Sequence, residues 1–259
     1  MSNLLSGNLY QNTAVYYDFD NRDIIKDDLD FYAQYAKLTK GPILELASGT
    51  GRVSLYLAEK TKRPIECIEL SAEMLEIFND KLNTTHVHLK NYINIHNIDM
   101  SGFNINNLFE FIIIPWRALQ WLPVQEKTIN CLKCVYNHLT NNGLFIFDIF
   151  KPRIYDENWI GKEDVSFDII NENYRIIRST VNHFADTEKK YIQYNNKIRI
   201  IKDGAEKIKE DLLTIKYYEY NDITAMLNDL GFNIKEEYGY YDKRSINDGE
   251  EMIFICSKK

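Results

Sequence analysis

The segment ILELASGTGR, residues 43–52, constrains this chain more than any other. A short apolar run ends at Glu45, then Gly49 and Gly51 flank Thr50 in a small-residue turn, and VSLYLAE behind them reads as the start of a helix. A buried strand, a glycine turn and a helix in that order bring bare backbone N–H groups and a helix N-terminus up to a ligand. Eighteen residues past Gly51 (69 − 51), a second apolar run, IECIE, stops at Glu69. An acid at the end of the second strand can accept both hydroxyls of a ribose, so the pair points to a nucleoside-containing ligand.

Composition narrows the partners. The 259 residues suffice for one large α/β domain or a core domain carrying an insertion. With 45% hydrophobic and 27% charged residues, the chain reads as globular. A formal charge of −7 argues against a nucleic-acid or anionic-membrane surface, which needs clustered Lys and Arg. The N-terminus lacks a basic region and a long apolar core, and no run reaches the length of a membrane span, so a cytoplasmic location is expected. Cys131 and Cys134 form a C-x-x-C, but TINCLKCVYNHL has helical periodicity and no other pair stands at ligand spacing. Buried helix cysteines in a reducing compartment are the expectation. His86 and His88, expected to share a strand face, have no third ligand near them, so no metal is expected.

Along the chain, LDFYAQYAKL reads as a helix, and Gly41 and Pro42 punctuate the entry to the first strand. A βα rhythm follows. Strand ILEL precedes a helix over 52–60, and strand IECIE precedes SAEMLEIFNDKL, capped by Ser71, with Met74, Leu75, Phe78 and Leu82 as its apolar stripe. A strand over 93–98 ends at Asp99, and FEFIIIP is apolar enough for a central parallel strand. A helix over 125–139 is expected to close at Asn-Asn-Gly 141–143, followed by strand LFIFDIF ending near Asp148. From about 165 to 220, apolar and polar residues alternate (VSFDI, YRIIRSTV, KYIQYN, IRII, DLLTIKYY), which predicts an antiparallel sheet with one wet face. Asn221 is placed to cap a short helix that Gly231 ends, and FNIKEEYGYY and EMIFICS supply the last strands.

Spacing selects among nucleotides. A G-x-G-x-x-G fingerprint placed on Gly49 and Gly51 requires glycine at 54, where Ser54 stands, and a phosphate-cradling G-K-[ST] is absent after Gly51. At this point the chain resembles the class I S-adenosylmethionine-dependent methyltransferases, over roughly residues 40 to 150 plus the closing strands. ILELASGTGR resembles that family's first motif, with Ala47 in place of its first glycine; IECIELSAEML resembles the second, NIDM the third and IIIPWRALQWL the fourth. The resemblance implies a Rossmann-like seven-stranded α/β sheet with an antiparallel last strand and an inserted antiparallel β-sheet. It divides the chain into an N-terminal helical lid (1–40), a cofactor-binding core (41–152 and 221–259) and an insertion (153–220) forming the acceptor pocket.

The resemblance also implies roles. Glu45, Ala47, Ser48, Gly49, Gly51 and Arg52 make the turn at the amino-acid tail of S-adenosylmethionine. Glu69 takes the ribose, Leu70 and Met74 flank the adenine, Asp99 faces its amino group, and Met100 adds backbone contacts. Pro115 and Trp116 border the methionine part, and an aromatic face from Trp116 or from Tyr17 and Tyr16 in the lid suits a sulfonium. For the two tyrosines, packing in a lead helix is an equal alternative. Arg117, Gln120 and His183 are the acceptor-side candidates, each balanced by a structural reading, and Asp148 reads as a structural cap.

Ile-Pro-Trp-Arg after the fourth strand lacks the Pro-Pro signature of DNA or glutamine methylases, the carboxylates of catechol-type enzymes and the cysteine of cytosine C5 enzymes. Metal-free, in-line methyl transfer to a small molecule remains, with an amine as one option, by a monomer or homodimer. The alternatives are a nicotinamide-dependent oxidoreductase, disfavoured by Ser54, and a non-catalytic partner subunit that binds the cofactor.

Overall fold

The computed structural model describes residues 9–20, 22, 26–152 and 160–259; the start of the expected lid (1–8) and of the expected insertion (153–159) lie outside the described residues. A 3-10 turn, Ala14–Phe19, precedes α1 (Asp27–Ala36). The core then runs β1 (Ile43–Leu46), α2 (Arg52–Thr61), β2 (Ile65–Glu69), α3 (Ala72–Asn83), β3 (Ile93–Asn97), β4 (Phe109–Ile114), α4 (Gln125–His138) and β5 (Leu139–Phe150). Four long strands follow: β6 (Glu163–Ile170), β7 (Arg175–Asp186), β8 (Tyr191–Lys202) and β9 (Ala205–Lys216). The chain closes with α5 (Tyr220–Asp229), β10 (Phe232–Tyr238) and β11 (Glu251–Lys258).

Seven strands form one sheet in the order β10-β11-β5-β4-β1-β2-β3. The strands from β5 to β3 pair in parallel, and β11 runs antiparallel to both of its neighbours. All four residues of β1 and the last four of β4 are buried, as expected of strands covered by helices on both faces. Two apolar clusters flank the sheet. Phe31, Tyr32, Leu57 and Phe78 from α1, α2 and α3 lie on one side, and Leu132, Val135 and Leu227 from α4 and α5 lie on the other. The remaining strands make a separate antiparallel sheet, β6-β7-β8-β9.

Several local expectations need correction. Helix α4 stops at His138 and β5 begins at once, so Asn-Asn-Gly 141–143 is strand rather than helix cap. Leu139 is already extended and pairs with Phe109, with a bulge before Phe111. Gly143 is needed there for room, because a Cβ would stand 2.7 Å from the Leu139 side chain. Glu219, not Asn221, caps α5, through a reciprocal capping box with Asp222. KYIQYN and IRII are one continuous strand, β8. His86 and His88 belong to a 3-10 turn and its cap rather than a strand, and His88 Nε2 lies 2.7 Å from Glu59 Oε2. Ser71 caps α3 as read, its hydroxyl accepting from the Met74 N–H, and Gly231, at φ 88°, follows α5.

Candidate active site

At the carboxyl ends of β1, β2 and β4 the sheet opens into a cavity of about 980 Å3. That volume is at the upper end for a ligand site. Ala47, Gly49, Glu69, Leu70, Asp99, Met100, Pro115 and Trp116 line one wall, and Tyr10, Tyr17, Arg178, Tyr194 and Thr214 line the facing one.

The glycine turn is held open by its own backbone. Ala47, Gly49 and Gly51 all have positive φ, at 55°, 56° and 83°. The two glycines differ in what surrounds them. A Cβ on Gly49 would meet nothing within 4 Å, whereas one on Gly51 would stand 2.1 Å from the Phe78 ring. Gly49 therefore leaves cavity space free, and Gly51 lets α2 pack on α3. Gly49→Ala is expected to cost about 1–2 kcal/mol from the left-handed backbone alone. Gly51→Ala adds about 1–3 kcal/mol of overpacking to the same strain. Melting temperatures of the two variants check this, with Gly51→Ala the lower; the reverse order would contradict it.

Glu69 faces the turn. Its Oε2 accepts from the Gly49 N–H and its Oε1 from the Ser71 N–H, both at 2.8 Å. Burial pushes its pKa up and these N–H donors oppose the rise, which leaves it above the ordinary range. Asp99, at the end of the third strand, accepts from the Ser101 N–H (2.8 Å) and hydroxyl (2.7 Å) and from Lys127 Nζ (3.0 Å). Burial opposes ionisation there too, but these donors outweigh it and its pKa is lowered.

Trp116 and Arg117 follow β4 in left-handed backbone, at φ 57° and 62°. Asp148, fully buried on β5, holds that turn. Its Oδ1 accepts from the Trp116 N–H (2.9 Å) and the Tyr32 hydroxyl (2.5 Å), and its Oδ2 from the Arg117 N–H (2.7 Å). The expected structural cap is thus the group that aims Trp116. The Arg52 guanidinium lies 5.2 Å from the Trp116 ring centre and forks onto buried Asp28 at 2.6 and 2.7 Å.

The segment ahead of α1 is pinned at two places. Thr50 donates to Asp18 (2.7 Å), which also pairs with Lys81 (2.6 Å). At its other end Thr13 donates to Asp211 on β9 (2.6 Å) and accepts from Asn196 on β8 (2.9 Å).

Of the residues singled out in the sequence, the cavity gathers Tyr17, Ala47, Gly49, Arg52, Glu69, Leu70, Met74, Asp99, Met100, Pro115, Trp116, Arg117 and Gln120. Five others lie elsewhere. Glu45 is buried behind the turn, accepting from Ser54, and burial pushes its pKa up to about 8. Ser48 is buried, and Gly51 packs on Phe78. Tyr16 packs against a small cluster around Phe167 on the second sheet, and His183 is exposed on β7. Two acceptor-side candidates already have partners. Arg117 pairs with Glu251, and Gln120 bridges the two sheets, donating to the Lys216 carbonyl and accepting from the Phe150 N–H. Among the described residues no cluster of three or more His, Cys, Asp or Glu is placed to hold a metal, and Cys131 and Cys134 are free thiols on α4. Sequence reasoning missed Tyr10, Trp121, Arg178 and Tyr194; the one available signal was the strand alternation that puts a polar face on β7 and β8.

This strand order, with β11 reversed beside β5 and an acid at the tip of β2, defines a Rossmann-like methyltransferase architecture. Residues 43–143 match the family model described as a methyltransferase domain. Over 141 residues it is 29% identical to the "Putative methyltransferase YqeM" of Bacillus subtilis (strain 168). That match covers 54% of this chain and 55% of the relative, so the chain spans about half the length of the curated relative it matches. An S-adenosylmethionine-dependent methyltransferase from Clostridium acetobutylicum superposes with a TM-score of 0.77 at 20% identity, over 94% of this chain and 95% of that one. The sugar N-methyltransferase KedS8 from Streptoalloteichus superposes at 0.74 and 14% identity, over 98% and 94%. At these identities the superpositions establish the fold. No described helix is long and apolar enough to cross a membrane.

Proposed function

We propose that this protein transfers a methyl group from S-adenosylmethionine to a small-molecule acceptor, with an amine nitrogen as the favoured nucleophile. The observation that carries the reading is the Glu69 carboxylate, fixed by the Gly49 and Ser71 N–H groups at the rim of a turn whose Gly49 leaves open space. Those residues fit a nucleoside with an amino-acid tail. Glu69 keeps lone pairs for two ribose hydroxyls, and backbone from Ala47 to Gly51, ahead of the α2 N-terminus, suits a carboxylate. Asp99 and Met100 stand where an adenine edge would lie, with Leu70 and Met74 beside them, and Trp116 borders the methionine part. Tyr17 and Trp116 present aromatic faces to the same space, which suits a sulfonium.

The cofactor, when bound, supplies an activated methyl group on its sulfonium. The protein's part is alignment and water exclusion, for which the aromatic wall and the pinned lid segment are suited. A neutral amine needs no base before attack, which agrees with a facing wall whose titratable groups are tyrosines, arginines, the Arg22-paired Asp20 and the Lys81-paired Asp18. Likeness of fold to a sugar N-methyltransferase supports the amine reading. On this reading the N-terminal segment expected as a lid (1–40) closes the site, and the four-stranded sheet is the acceptor wall of a soluble enzyme.

Saturating S-adenosylhomocysteine, at about 100 times its Kd, is expected to stabilise the fold by about 2.7 kcal/mol, a melting shift of roughly 5–10 °C. A panel of small amines with S-adenosylmethionine should then yield a product one methyl group heavier by mass spectrometry. A protein with neither shift nor product would refute the assignment. A shift without product from any acceptor class would favour a non-catalytic subunit.

A further inference from the structure

Three guanidiniums, those of Arg22, Arg117 and Arg178, reach the cavity away from the glycine turn. Two of them are neutralised. Arg22 forks onto Asp20 at 2.8 and 2.6 Å, and Arg117 pairs with Glu251. Arg178 on β7 is the third. Its Nε donates to Asn196 at 3.0 Å, but its Nη1 stands 3.7 Å from Asp20, beyond hydrogen-bond reach of a carboxylate that Arg22 already occupies. Three cations thus face two carboxylates, and the unmatched donors belong to Arg178.

Tyrosines surround this guanidinium. Its carbon lies 5.8 Å from the Tyr17 ring centre, and Tyr10 sits edge-on to Tyr17 at 5.6 Å. The hydroxyls of Tyr10, Tyr17 and Tyr194 bond to no other described residue. Burial raises the pKa of all three, and Arg178 lies close enough to each to oppose that rise, so they remain protonated donors at neutral pH. Thr13 fixes the strap that carries Tyr10 and Tyr17 onto Asn196, the residue that orients Arg178. A partly buried, unmatched guanidinium with O–H donors around it recognises an oxyanion and repels an ammonium.

We propose that Arg178, with the hydroxyls of Tyr10, Tyr17 and Tyr194, is an anchoring subsite for an oxyanion group, carboxylate or phosphate, on the acceptor. The word acceptor rests on the methyl-transfer reading; the anion subsite does not. It makes Arg178 a specificity residue, holding one end of the molecule while its nucleophile faces the methyl group.

The test uses the full chain at low ionic strength, saturated with S-adenosylhomocysteine so that anions cannot enter the turn at α2. Inorganic phosphate and acetate are titrated separately by calorimetry. At least one is expected to bind saturably, and which of them does distinguishes a phosphate-bearing from a carboxylate-bearing acceptor. Arg178→Gln should weaken that binding by about tenfold or more, while S-adenosylhomocysteine affinity stays unchanged and reports an intact fold. Arg178→Lys, which keeps the charge without the fork, should fall between. Absence of binding by either anion, or equal binding to Arg178→Gln, would overturn the proposal. If S-adenosylhomocysteine itself does not bind, the same titrations are made on the free protein. An Arg178-dependent anion response would then uphold the subsite while the methyl-transfer reading fails, and none would sink both.

Discussion

Glu69→Ala is expected to weaken S-adenosylhomocysteine binding by about 100-fold or more in a protein that still folds. Both Glu69 oxygens are already oriented by backbone, with the Gly49 N–H on one and the Ser71 N–H on the other, each at 2.8 Å. A ligand diol therefore meets a carboxylate that needs no reorganisation. Hydrogen bonds to a charged group contribute about 1.5–3 kcal/mol each, so two of them reach the roughly 2.7 kcal/mol that a 100-fold change requires. The stability cost should be small, because the freed N–H groups face a cavity where water can replace the carboxylate. Calorimetric titration of wild type and variant, with a melting curve for each, makes the check. Unchanged affinity in Glu69→Ala would mean that the nucleoside is held elsewhere.

Asp148→Ala is expected to be strongly destabilising, by about 3–6 kcal/mol and roughly 10 °C or more in melting temperature. Asp148 is fully buried and accepts from three donors: the Tyr32 hydroxyl and the N–H groups of Trp116 and Arg117. Burial raises its pKa, opposed by these contacts. Truncation leaves the donors unsatisfied at about 1–3 kcal/mol each and releases a turn whose two residues sit in left-handed backbone. Asp148→Asn keeps one acceptor oxygen and should fall between. Thermal denaturation of the three proteins decides it, and an alanine variant melting within a degree or two of wild type would contradict the role assigned to Asp148.

The parts of this molecule legible in the sequence are those written in local pattern. ILEL, IECIE and FEFIII read as buried parallel strands because central strands are apolar on both faces, and they are. Ser71 and Gly231 read correctly because a cap is a one-residue decision. Asn-Asn-Gly misled for the complementary reason. Its composition is that of a helix end, but pairing of Leu139 with Phe109 extended the chain before those residues were reached, and the glycine makes room rather than a turn. Tyr16 and Tyr17 show a finer limit. Neighbours on a 3-10 turn point about a third of a turn apart, so one packs on the second sheet and the other lines the cavity, and nothing local says which.

The facing wall was illegible because it is assembled by tertiary pairing. Arg178 reaches the cavity through the register of β7 with β8, and Asn196 orients it from the neighbouring strand. Arg52 is matched by Asp28 from a preceding helix, and Glu251 claims Arg117 from the far end of the chain. Such partners are 18 to 134 residues apart in sequence and carry no motif. The acids Glu45, Glu69 and Asp99 looked alike as strand-end residues. Only the fold separates them, with the first buried against Ser54 and the other two lining the cavity.

The most direct test of the central claim is a crystal structure of the protein with S-adenosylhomocysteine. Both ribose hydroxyls are expected within hydrogen-bond distance of the Glu69 carboxylate, with the amino-acid tail against the turn from Ala47 to Gly51. A nucleoside bound away from Glu69, or a folded protein that takes up none at saturating concentration, would contradict it.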